Sequence, residues 1–247
     1  MAEEESFGVL LGRLAKRRQL DLDALARSAD VGGPELKNLL RGGGPSPPLL
    51  RRLAPVLGLH TADLFVIASV AVPYDLAPAH PTAGSWVPGL VRNAVGLPPD
   101  GRNFLRGFVR SLPRKARELP VPTSPAFERY PHGPGAVLMG LARNRNLGWV
   151  AVAKTFLVVT GRYWSAATYG GVGRGTTPVT AELLADFCAV LDVPSEDLVT
   201  VTGVALPEAS SRAKPAGEGV AELIWDVRHL TCSQLQEARN LAESIRR

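Results

Sequence analysis

Apolar residues recur at helical spacing through most of the chain. Phe7, Leu10, Leu11 and Leu14 form one stripe, which predicts an amphipathic helix over 7–18. Asp21 stands where it caps a second helix over 22–29, and Pro34, after the Val31-Gly32-Gly33 turn, suits the first turn of a third over 34–41. Gly42-Gly43-Gly44-Pro45 ends that helix. Further helices are predicted over 47–57, 61–68 with Thr61 as cap, 85–95 and 98–112. Pro55 falls inside the fourth, where its missing donor should kink or shorten the helix.

The pattern then repeats. Adding 127 carries Leu11, Leu14, Ala15, Arg18, Leu20, Ala24, Ala26 and Val31 onto identical residues between Leu138 and Val158. Adding 134 carries Leu49, Leu50, Val56, Leu57, Asp63 and Leu64 onto Leu183, Leu184, Val190, Leu191, Asp197 and Leu198. The second copy therefore gains seven residues between these blocks, near Gly170-Gly171-Val172-Gly173-Arg174-Gly175, where a long mobile turn is expected. Near the end an offset of 133 aligns Gly84, Leu90, Leu97 and Arg106 with Gly217, Leu223, Leu230 and Arg239. A period this long implies two similar units and excludes a solenoid of short repeats.

Composition adds little to that division. A chain of 247 residues with 45% hydrophobic content can fill two cores. Its apolar runs, such as 64–72, fall short of a membrane span, and no secretion signal opens it. With two cysteines at unrelated repeat positions, Cys188 and Cys232, a cytoplasmic location is expected. Four scattered histidines offer no metal-ligand pair. No nucleophile turn or phosphate loop occurs either, so neither catalysis nor a cofactor is expected.

The stretch from Leu11 to Phe65, LGRLAKRRQLDLDALARSADVGGPELKNLLRGGGPSPPLLRRLAPVLGLHTADLF, resembles phage-repressor-like helix-turn-helix regulators of the Cro and XRE type. LMGLARNRNLGWVAVAKTFLVVTGRYWSAATYG and ELLADFCAVLDVPSEDL carry the likeness more loosely in the second copy. The resemblance implies an all-α protein: two tandem helix-turn-helix bundles, each with an appended helical hairpin. The units are expected at 1–72 and 134–205, with linker and hairpin at 73–114 and 206–247 and an inter-repeat linker at 115–133. It also implies a transcriptional regulator that binds double-stranded DNA as an intramolecular pseudo-dimer, each third helix in a major groove.

Carried onto this chain, the groove-facing positions of the third helix are Gly33, Pro34, Lys37, Asn38 and Arg41 in the first copy. In the second they are Thr160, Gly161, Trp164, Ser165 and Thr168, with Arg162 as a candidate base reader. Arg17, Arg27, Arg143, Lys154 and Arg174 are expected at phosphates, which orient without reading sequence. Net charge is +5. In residues 134–204 every basic residue precedes position 175 and every acid follows it, so the first three helices there are expected to form a basic surface. Gly33 and Pro34 carry no paired donors, which keeps open a second reading: a protein-interaction module with one or both units degenerate for DNA. The amphipathic hairpins are expected to pack across the two halves and leave room for a homodimer or a protein partner.

Overall fold

The computed structural model describes residues 6–117, 129–207 and 219–246, and all regular structure among them is helical. The first half carries α1 (Phe7–Arg17), α2 (Leu22–Ser28), α3 (Gly33–Leu40), α4 (Pro47–Val56) and α5 (Thr61–Ile67). A 3-10 turn over Pro81–Trp86 leads into α6 (Val87–Val95), and α7 (Pro99–Ser111) follows. The second half carries α8 (Pro134–Asn144), α9 (Trp149–Thr160), α10 (Ala166–Arg174), α11 (Ala181–Val190), α12 (Ser195–Thr202), α13 (Val220–Asp226) and α14 (Cys232–Arg246). No described helix is long and apolar enough to cross a membrane.

Local chemistry sets most of these boundaries. Asp21 accepts the Ala24 N–H at 2.7 Å, and Ser46 and Thr180 cap α4 and α11 in the same way. At α14 the cap is reciprocal: Thr231 Oγ1 accepts the Gln234 N–H, and Gln234 Oε1 accepts the Thr231 N–H. Pro55 leaves α4 intact to Val56, because it lies in the last turn on the exposed side. Thr61 is the first residue of α5 and not its cap, a place held by His60 without a side-chain bond.

The second half departs from expectation at its third helix. Continuous apolar packing carries α9 to Thr160, twelve residues against seven in α2, until Gly161 ends it at a φ of 72°. Thr160 therefore closes α9, Arg162 and Trp164 lie in the connection, and Ser165 caps α10 through the Thr168 N–H. From position 149 to 166, the starts of α9 and α10, is 17 residues, against 11 from 22 to 33, so most of the extra length precedes α10. The glycine run is helix and not a mobile turn. Gly170 faces the Trp149 ring, Gly171 faces Thr177 and Gly173 faces the Tyr130 ring, where any Cβ would overlap these side chains.

Buried apolar residues form one cluster running through both halves. The helix α5 packs on α8, and α1 on α12. Both α6 and α7 pack on α13 and α14, so the two helical pairs cross-pack between the halves, and α6 also lies along α9.

Candidate nucleic-acid interface

In the first half, α3 packs on α1 and α2 through Leu10, Leu11, Leu14, Leu25, Leu36 and Leu39. Gly8 admits the Leu39 carbonyl against α1. That packing turns the other face of α3 to water: Pro34, Glu35, Lys37, Asn38 and Arg41 are exposed, as is Arg27 in the last turn of α2. Glu35 takes Arg52 at 3.4 Å, and no ion pair among the described residues involves Arg27, Lys37 or Arg41. The Asn38 amide rests against Gly43, where a Cβ would displace it. The structure thus brings four of the expected contact residues, Arg27, Lys37, Asn38 and Arg41, onto neighbouring elements. Arg17 is elsewhere: it pairs with Glu196 and lies 3.6 Å from Asp197, at the junction with the second half.

The second half offers a different surface. Arg162 donates from Nε to Asp186 Oδ1 at 2.8 Å and to Oδ2 at 3.1 Å, and the Trp164 indole donates to the same carboxylate at 3.0 Å. Asp186 is fully buried, so these bonds satisfy a charge that has no access to water. The pairing holds the Arg162 pKa above its usual value. Arg162 and Trp164 are therefore tied to the core and stand outside the third helix, which corrects their expected placement as groove contacts. Thr160 Oγ1 is taken by its own helix, donating to the Phe156 carbonyl at 2.8 Å. Ser165 is spent on its cap.

The expected basic surface loses one of its members to the core. Arg145 is fully buried, Arg143 lies over the Tyr130 ring at 6.0 Å, and Arg174 over the Trp149 ring at 5.4 Å. Lys154 on α9 and Arg174 at the end of α10 remain exposed. At the fifth and sixth positions, where α3 presents Lys37 and Asn38, α10 has Gly170 and Gly171, buried under Trp149 and Thr177.

Sequence reasoning missed the polar contacts that join the halves. Arg145 donates from Nη1 and Nη2 to Asp63 at 3.1 and 2.9 Å, and Asn144 adds a third bond at 2.8 Å. Arg18 makes the corresponding fork to Asp197 at 3.1 and 2.6 Å. Each arginine also donates to the carbonyl four residues back, Leu141 at 2.8 Å and Leu14 at 3.0 Å. A signal was present: Arg and Asp recur at matched positions in both copies, among residues otherwise apolar. Comparison with known proteins finds no match for this chain among family models, curated sequences or solved structures.

Proposed function

We propose that the chain is a DNA-binding transcriptional regulator built as an intramolecular pseudo-dimer of helix-turn-helix units, in which only the first unit reads the duplex. The observation that carries this reading is the solvent face of α3, where Lys37, Asn38 and Arg41 stand exposed beside Arg27 of α2. A helix-turn-helix protein lays this face of its third helix in the major groove, where Asn can read adenine through a bidentate pair and Lys or Arg can read guanine.

Two features support the tandem arrangement. The offsets 127 and 134 relate Arg18 to Arg145 and Asp63 to Asp197, and the ion pairs exchange these partners between halves, as an isologous two-fold contact does. Gly8 and Gly135, also related by 127, each admit a third-helix carbonyl, that of Leu39 and of Val172. The second unit serves as a fixed partner that braces the first, since glycine at positions 170 and 171 gives no side chain to a base edge. The DNA contacted is accordingly one asymmetric half-site.

A duplex titration against salt tests this. Lys37→Ala and Arg41→Ala should each weaken binding and lower the slope of log affinity against log salt by about one where the residue meets a phosphate. Arg162→Ala should leave the slope unchanged. Absence of salt-dependent affinity for any duplex would refute the proposal. That result would favour the second reading, a protein-interaction module, for which the exposed apolar residues Val150 and Leu157 of α9 and the adjacent Tyr163, 70% exposed, are the supporting observation.

A further inference from the structure

Three segments far apart in sequence converge beside the cross-packed helical pairs. Arg228, in the 3-10 turn Val227–His229 that follows α13, donates to the Leu76 carbonyl at 2.8 Å and lies 4.0 Å from the Trp225 ring. Arg117 donates from Nη2 to the carbonyls of Tyr74 and Ala77 at 3.0 and 2.9 Å. The same loop is held at its far end by Asn146, whose amide donates to the His80 carbonyl at 2.9 Å. Gln234 donates to the Pro113 carbonyl at 2.8 Å, which brings Arg114 and Arg117 alongside His229.

Among the described residues this convergence is rich in positive charge and poor in counter-charge. Among the described residues no carboxylate forms an ion pair with Arg114, Arg117 or Arg228. Asp63, whose charge Arg228 feels, is already held by Arg145 and Asn144. Two nitrogen atoms here, Arg117 Nη1 and His80 Nε2, are buried with no hydrogen-bond partner. Buried donors without acceptors and buried cations without anions are both costly, and one oxyanion would satisfy the two deficits together.

We propose that Arg114, Arg117, His80, Arg228 and His229 form a binding site for a phosphate-class oxyanion, outside the α3 face and independent of the DNA reading. The electrostatics agree. Burial, with the charges of Arg228, Arg114, Arg117 and His80, pushes the His229 pKa down to about 3, and burial lowers that of Arg228 to about 10. An anion seated among these groups offsets part of the positive field at the His229 ring. Arginine forks match a tetrahedral oxyanion through paired N–H donors, and a neutral imidazole supplies one donor more.

The test is an NMR titration of the full chain with inorganic phosphate, against chloride at matched ionic strength, read at the Cε1–H signals of the histidines. A saturable response is expected in which the His229 midpoint rises by about 1–3 pH units, while exposed His132 stays unmoved. Arg114→Gln alters an exposed side chain and so spares the fold; it should weaken the response about tenfold or more, the loss expected for one charge-assisted hydrogen bond. A parallel titration with duplex DNA separates the sources of the oxyanion: a His229 shift with duplex alone assigns the site to a backbone phosphate, and a shift with inorganic phosphate assigns it to a free ligand. No movement of His229 with either probe, or equal responses in wild type and Arg114→Gln, would overturn the proposal.

Discussion

Asp63→Ala removes the acceptor for a guanidinium that has no route to water. Asp63 and Arg145 are both fully buried, and the carboxylate accepts three bonds, two from Arg145 and one from Asn144. Without it Arg145 keeps only the carbonyls of Leu141 at 2.8 Å and Leu191 at 3.3 Å, and its Nε already lacks a partner. Breaking a buried pair in this way costs about 3–5 kcal/mol. For a chain of this size, at about 2–4 °C per kcal/mol, the melting temperature should fall by about 6–20 °C. Asp197→Ala should cost less, because Arg18 is 20% exposed and can turn to solvent. Urea unfolding is the assay, read as a lower midpoint at unchanged slope. The double replacement Asp63→Leu with Arg145→Met should recover most of the loss, since an apolar pair removes both buried charges. Asp63→Ala within about 1 kcal/mol of wild type would refute the reasoning, because a cost that small is the mark of an exposed pair.

Two further outcomes follow from packing and charge. Gly135→Ala places a methyl on the Val172 carbonyl and should destabilise by about 1–3 kcal/mol. Gly12→Ala, with open space around it in α1, should be neutral or stabilising by up to about 1 kcal/mol; thermal melts compare the two. Asp192 accepts from His60 at 3.3 Å, and that bond holds its carboxyl below the ordinary value of 3.8. A depressed acid stabilises the fold fully above its unfolded pKa and loses that contribution as pH falls through the lower folded value. His60→Ala should therefore lower stability near neutral pH and flatten its decline below about pH 4, as measured by urea midpoints across pH.

Most helix positions were legible because the information is local. Apolar spacing, Asp21 and Thr231 as caps, and the Gly42–Gly44 stop all act within a few residues of the backbone they control. The third helix of the second half was not legible by counting along the repeat. An identical offset through Val158 kept the two copies aligned up to the point where α9 continues past the end of α2. The glycine run then invited a loop assignment, and only the side chains of Trp149, Thr177 and Tyr130 explain how three glycines stand in one helix. Among the candidate contacts, Arg27, Lys37, Asn38 and Arg41 are as exposed as the amphipathic pattern predicts. Arg162 has the same charge, and no property of its own segment distinguishes it. Its partner, Asp186, is 24 residues away on α11.

The sequence by itself determined the all-helical class, the order of the helices and the apolar faces that must be covered, since each depends on short-range periodicity and capping. Tertiary structure decided which charges are withdrawn from solvent or tied to a distant partner. Arg18 and Arg145 occupy the same place in the repeat, yet one is partly exposed and the other sealed. Charge counting treats both as surface. Burial depends on what the other half lays over each position, and that is a long-range contact between α1 and α12 or α8 and α5 that no local pattern encodes.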